Sequence, residues 1–353
     1  MILHLFPVTA FTRGFIEFVA KNFNSDEHFF LVYGESELQD NNDYISNFNV
    51  KYYRRIDVIC NNMSTMNWMC SFDAIIMHHF LNWKLCEMFA MNEHLLKKLV
   101  IYFWGGDIPY TNNKEYNILK KRVVENCKGI ITIIPEDFRL AKKLYDIDGI
   151  VRTAEYRDDE LEEIINNNKL KKHKYGEPYY IQIGHSSFET GRHFEAIDAI
   201  ERFKNHNVKI FIPLAYGDKQ YAKKVIAYAE DIFGEDKVEI LTDFMSKGRY
   251  HEILSNIDVA LFAPLDQQAL GNILALLKMG KKVYLANKGF LYEYFTKDKG
   301  IDVFEIEKIH DESFDLFVDI SQTSINHNLN IMKKYYDNTV KEWNEVFVFA
   351  KSK

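Results

Sequence analysis

A chain of 353 residues, 47% hydrophobic and 15% aromatic, is long enough for two ordinary domains and apolar enough for two cores, which excludes a disordered protein. Its net charge of −7 excludes a general nucleic-acid binder, because neutralising phosphates needs a basic face. Four dispersed cysteines (Cys60, Cys70, Cys86 and Cys127) form no CxxC pair or zinc-like His/Cys spacing, so reduced thiols in a cytosolic protein are expected.

The N-terminal MILHLFPV is short and lacks a basic flank, so it reads as a first core strand rather than a signal peptide. No apolar run approaches the roughly 20 residues of a membrane span. Hydrophobic spacing predicts strands over 3–6, 29–33, 72–77, 99–104 and 129–134, with helices over 11–23, 83–96 and 115–126. The polar stretch DDELEEIINNNKLKKHKYGEP (158–178) then reads as a connection. Further strands are expected over 179–183, 209–212, 237–241, 259–262, 283–285 and 303–304, followed by a helical tail. The organisation is a first domain over 1–165, a linker over 166–177, a second domain over 178–320 and a tail over 321–353 that packs back on the first. Alternating strands and helices predict α/β domains, each a doubly wound, mostly parallel, Rossmann-like sheet.

Ligand-competent residues recur at strand ends. In LFAPLDQQALGNILALLKMGKKVYLAN (261–287), a buried strand leads through Gln267, Gln268, Leu270, Gly271 and Asn272 into a helix and a second strand. A helix N-terminus at the carboxyl end of a parallel sheet is an anion site, so a nucleotide diphosphate is the first ligand to consider. After the strand over 179–183, Gly184 and Ser186 allow close backbone approach, and Gly191 leads to Arg192 and His193, which would clamp a diphosphate. Tyr216, Gly217 and Tyr221 follow the next strand, and Phe244 and Met245 the one after, placed to contact a nucleobase. Each has a plainer reading as a solvated or packing residue. Two such domains facing a cleft describe the GT-B architecture of nucleotide-sugar glycosyltransferases.

IGHSSFETGRHFEAIDAI, PLAYGDKQYAKKVIAYAEDIFG and QQALGNILALLKMGKKVYL, with HLFP, EHFFLVYG and WGGD in the first half, resemble the glycosyltransferase family of enterobacterial common antigen assembly. Its founding activity moves 4-acetamido-4,6-dideoxy-galactose from a thymidine diphosphate sugar to a lipid-linked saccharide. The resemblance spans most of the chain and implies a GT-B fold, a nucleotide-diphosphate sugar donor, a lipid-linked saccharide acceptor, no cofactor and no metal. Retaining GT-B enzymes often carry two glutamates across this turn and helix; the matching positions here hold Gln267 and Ala275, which favours inversion by direct displacement.

Displacement needs a base from the first domain. Asp107 in WGGD is the preferred candidate, its alternative being to brace the turn or cap a helix; His78 and His79 come next, and His4 would line the cleft or sit in the core. No P-loop, GxGxxG fingerprint or hydrolase elbow is present, and the one adjacent Asp pair, Asp158–Asp159, falls in the linker region. Lys169 to Lys174 (KLKKHK), Lys120–Lys121–Arg122 and the apolar residues Trp83, Leu85, Met88, Phe89, Met91 and Leu95 would provide a membrane-surface contact, or else a linker and a core helix. The expected protein is a cytoplasmic glycosyltransferase, peripheral on the inner face of the membrane. A GT-B epimerase and a catalytically idle nucleotide-sugar sensor or scaffold are the rivals.

Overall fold

A computed structural model describes residues 1–9, 11–35, 48–147, 151–157, 159–167, 171 and 173–352. The chain forms two compact units, Met1–Asp159 with Tyr336–Lys353, and Glu160–Tyr335.

In unit 1, strands β1 (Ile2–Pro7), β2 (His28–Tyr33), β3 (Val50–Tyr53), β4 (Ala74–His78), β5 (Leu99–Tyr102), β6 (Gly129–Thr132) and β7 (Val151–Thr153) form one parallel sheet in the order β3-β2-β1-β4-β5-β6-β7. The near-continuous apolar runs reflect burial on both faces. Leu3, Leu5, Leu31, Ile75, Met77 and Ile101 enter one core cluster, while Ile2, Phe6, Phe30, Ile76, Val100 and Tyr102 enter the other. The helix Gln322–Lys351 completes the second cluster with Trp343, Val346, Phe347 and Ala350, and Trp343 Nε1 donates to the Glu155 carbonyl at 2.8 Å.

Two of these strands escape the hydrophobic pattern. VKYY and VRT are short, and each carries a basic residue, as edge strands commonly do. The predicted helix over 83–96 is two, Trp83–Met91 and Glu93–Leu96, with Asn92 at the break. Of its two readings, membrane contact or core helix, the structure shows the core helix: Leu85, Met88, Phe89 and Leu95 are buried, and Trp83 packs against the same cluster. Met91 alone of that set is well exposed. Lys120, expected to offer charge to a membrane surface, is also buried.

In unit 2, β8 (Tyr179–Ile183), β9 (Val208–Pro213), β10 (Val238–Leu241), β11 (Val259–Phe262), β12 (Lys282–Leu285) and β13 (Phe304–Glu305) form a second parallel sheet, ordered β10-β9-β8-β11-β12-β13. Ile181, Ile183, Ile210, Ile212, Val259 and Leu261 anchor its core. The start of the polar stretch is helical over Asp159–Asn167, reaching into the expected linker. Asp158, Lys169, Leu170 and Lys172 lie outside the described residues. Both sheets are ordered as a doubly wound fold demands, with switch points between β1 and β4 and between β8 and β11. The four cysteines are free.

Three imidazoles are stitched through the unit 1 core. His28 Nδ1 lies 3.0 Å from His4 Nε2, and His4 Nδ1 lies 3.0 Å from His78 Nε2, among the rings of Phe15, Phe30 and Phe347. Burial holds His4 and His78 well below the ordinary histidine value and pushes His28 down to about 4. The unfolded chain titrates near 6.5, so below that pH it takes up protons that the folded chain refuses. These groups therefore contribute stability that is full above about pH 6.5 and is lost as the pH falls toward the folded values. The melting temperature should drop steadily from about pH 7 to about pH 5, before most carboxylates titrate. A flat profile by scanning fluorimetry over that window would contradict this.

Candidate functional site

The unit 2 switch point is built from the turns that follow β8, β9 and β11. Gly184 ends β8 in the left-handed region (φ +67°), and a Cβ there would lie 2.3 Å from His193 Nε2. His193 opens the helix His193–Ile200 and is fully buried, with its backbone nitrogen and Nδ1 each 3.3 Å from the Tyr221 hydroxyl. Its Nε2 is buried without a well-aligned partner. Burial pushes His193 down to about 4 and His185 down to about 3, so both are neutral near pH 7 and act as hydrogen-bonding groups rather than charges.

The loops after β8 and β9 are zipped together. Gly217 (φ +115°) sits so near Ser187 that a Cβ would meet its carbonyl carbon at 2.8 Å, and Ser187 N donates to the Tyr216 carbonyl at 2.7 Å. Tyr216 and Phe244 stack at 5.7 Å, and both rings are exposed, as is Phe188 at Tyr216's edge. After β11, Gln268 Nε2 donates to Thr190 Oγ1 (2.8 Å) and Asp266 Oδ1 (2.7 Å), which ties this turn to the short turn Glu189–Gly191. Tyr250, in the helix Lys247–Asn256, donates to Asn272 Oδ1 at 2.5 Å.

Two helices begin here without side-chain caps. Arg192 precedes His193–Ile200 at φ 50°, and Ala269 precedes Leu270–Lys278 at φ 62°; neither side chain accepts from the first turn. Asn62, Asn82, Asn113, Asp218 and Ser246 cap their helices as the sequence leads one to expect, while Thr12–Asn22 and Pro135–Leu144 also begin without a side-chain cap. Uncapped first-turn N–H groups at a switch point are what an anionic ligand requires. A Cβ added at Gly271 would meet nothing within 4 Å outside its own helix backbone and chain neighbours. Arg192 itself is drawn to Glu195 Oε1 (3.0 Å) and the Ala263 carbonyl (3.2 Å), bracing the end of β11.

The expected donor residues thus gather on unit 2, with different roles for some. Ser186 is buried beneath the turn after β8, Gln267 is half-buried on the β11 turn, and Met245 is half-buried beside exposed Phe244. Tyr221 is only 7% exposed and orients His193. Leu270 is equally buried and offers the site its backbone alone. The strained position of the β11 turn is Ala269, not Gly271. The pattern did not single out Thr190 or the Tyr250–Asn272 bond, because their partners lie far off in sequence.

In unit 1 the ends of β4 and β5 carry the other candidates. Asp107 is fully buried: Oδ1 accepts from Trp104 N and Oδ2 from Phe80 N, each at 2.7 Å. Lys120 Nζ donates to the Asp107 and Pro109 carbonyls at 2.5 and 2.7 Å, and burial pushes this amine down to about 8. Burial raises the Asp107 carboxyl, opposed by His79, the two amides and Lys120. The geometry supports the bracing alternative, with Asp107 holding the β4 and β5 loops together. His78 is fully buried and has both ring nitrogens engaged. His79 is different. It adopts φ 68°, its ring packs against that of Trp104 at 4.7 Å with the planes tilted by 34°, and its ring nitrogens make no hydrogen bond among the described residues. Burial lowers it, and Asp107 partly offsets that, which leaves a neutral imidazole near pH 7.

Two doubly wound parallel units with polar turns at their switch points define the GT-B fold of glycosyltransferases. Solved structures agree over nearly the whole chain. A glycosyltransferase from Rickettsia africae matches with TM-score 0.67 at 12% identity, covering 99% of this chain and 97% of its own. HepE of Anabaena, in complex with UDP and glucose, gives 0.67 at 11%, covering 99% and 100%. WaaG, a glycosyltransferase involved in lipopolysaccharide biosynthesis, gives 0.61 at 13%, covering 98% and 99%. The chain belongs to glycosyltransferase group 56, a family described as 4-alpha-L-fucosyltransferase, whose profile matches residues 10–347. It is a glycosyltransferase.

Two substitutions check the site's construction. Asp107→Ala strands two buried amides at about 1–3 kcal/mol each, so urea unfolding should show a loss of at least about 2 kcal/mol; an unchanged midpoint would deny the bracing role. Gly184→Ala should displace His193 and weaken nucleoside diphosphate binding, while affinity equal to wild type by calorimetry would remove that turn from the ligand site.

Proposed function

We propose that this glycosyltransferase moves a 6-deoxygalactose-type sugar from a UDP- or dTDP-linked donor to a hydroxyl of a lipid-linked or growing surface saccharide, with inversion and without a metal. The observation that carries this reading is the pair of uncapped helix starts, at Arg192–His193 and Ala269–Leu270, on one switch point. The sugar class rests on two descriptions sharing one framework: fucose, named by the family, and the 4-acetamido-4,6-dideoxy-galactose of the resembling transferase. HepE's complex with UDP and glucose supports a nucleotide-linked donor.

The acceptor oxygen attacks the anomeric carbon, the bond to the diphosphate breaks, and the hydroxyl proton passes to a base. The departing diphosphate would gain its charge against the first-turn amides of Leu270, Gly271 and Asn272, with Arg192 nearby. His79 is the base we favour over Asp107, because it combines free ring nitrogens, neutrality near pH 7 and a strained backbone of the kind that functional sites retain. Among the described residues no helix is long and apolar enough to cross a membrane. A lipid-linked acceptor would bring the protein to the cytoplasmic membrane face, with its lysines as the contact.

His79→Gln should lower turnover by about 10²–10⁴-fold, the usual size of a general-base contribution, with donor affinity unchanged. The assay follows release of UDP or dTDP from a panel of nucleotide sugars, with and without saccharide acceptor and in excess EDTA. Binding without release would leave a sensor, and release without acceptor would favour an epimerase. Loss of turnover in EDTA, restored by Mg²⁺, would overturn the metal-free mechanism.

A further inference from the structure

The imidazole row in unit 1 is part of a longer hydrogen-bonded chain whose direction can be deduced. An indole N–H can only donate, and Trp104 Nε1 gives its proton to the Tyr156 hydroxyl, 3.1 Å away. Tyr156 also lies 2.6 Å from His78 Nδ1. If it accepted there too, its own hydrogen would have no acceptor among the described residues, so Tyr156 donates to Nδ1. His78 must then carry its proton on Nε2 and donate to His4 Nδ1. The same step repeats: His4 Nε2 donates to His28 Nδ1, and His28 keeps its proton on Nε2. Every link points one way, from Trp104 through Tyr156, His78 and His4 to His28.

The chain crosses the sheet. It starts at the carboxyl ends of β4 and β5, passes through the middle of β1, and ends at the first residue of β2, beside the Glu27–Lys351 ion pair. Its members are wedged between rings, with Phe6 4.2 Å from His78, Phe30 4.6 Å from His4 and Phe347 4.5 Å from His28. A ring flip at one link would set two donors or two acceptors face to face at the next. Trp104 is therefore held in one orientation by a row of bonds reaching to the far end of the sheet.

We propose that Tyr156 and His78 are positioning residues for the unit 1 site. They fix the indole of Trp104, and Trp104 fixes the ring of His79 packed against it at 4.7 Å. The proposal rests on the reading of His79 as the base. It differs from a packing role, because packing would be indifferent to which ring nitrogens carry protons.

The test uses the full chain with ¹⁵N-labelled histidine and tryptophan. In the wild type, His4, His28 and His78 should all show the Nε2–H tautomer; a Nδ1–H form at any of them would overturn the chain. Tyr156→Phe keeps the ring and removes both bonds. The Trp104 indole resonance and the His79 ring resonances should shift together, and turnover should fall about 10- to 100-fold, the usual cost of a misplaced catalytic group, with the donor KM unchanged. Unmoved His79 resonances would overturn the positioning role whatever the activity, whereas full activity in His79→Gln would fault only the assignment of the base. Should Tyr156→Phe fail to fold, Trp104→Phe removes the donor that sets the direction. It should then allow mixed tautomers at His78, and a retained single tautomer would count against the proposal.

Discussion

Parallel strand pairing is the constraint from which the rest follows. It needs crossover helices, these cover both faces of each sheet, and the strands become apolar throughout. Polar chemistry is left with the strand ends. Among the described residues, the three non-glycine residues with positive φ all follow parallel strands: His79 after β4, Arg192 in the β8 connection and Ala269 after β11. Each sits where a connection leaves at a switch point, and strain is tolerated there because the buried strands behind it are rigid.

The two units use those ends differently. In unit 2 the turns leave first-turn backbone amides without side-chain caps, beside the buried neutral imidazole of His193. In unit 1 buried charge does the scaffolding. Lys120 and Asp107 knit one loop pair from beneath, Lys120 bonding main-chain oxygens and Asp107 main-chain nitrogens, and expose little of either charge. A carboxylate spent on two amides is poorly suited to proton transfer, while the imidazole above it is not so engaged.

Much of this architecture was legible in the sequence because period and burial coincide there. The strands over Tyr179–Ile183 and Val259–Phe262 read directly as apolar runs bounded by turn residues. β3 and β7 did not, since a four-residue or three-residue edge strand has too little pattern to stand out. At the site, residue type revealed which turns matter but not what each side chain does. Asp107 reads as an exposed acid on a Gly–Gly turn until Phe80 and Trp104 are seen to surround it. Gly271 reads as the special backbone position because glycine usually is, yet the left-handed residue is Ala269. Links such as Tyr250 to Asn272 depend on tertiary placement alone.

The last helix makes unit 1 discontinuous, and this has a meaning for biosynthesis. Residues 336–353 belong to a body whose other members all precede residue 160. A ribosome must therefore make the whole of unit 2 before Trp343 and Phe347 exist to close the cluster around Phe15, Tyr102 and Tyr156. At roughly 5–20 residues per second, that interval is on the order of ten to thirty seconds. For that time the nascent first sheet would carry an open aromatic face, the kind of surface that recruits chaperones, while the second sheet, contiguous in sequence, is free to fold ahead of the one synthesised before it.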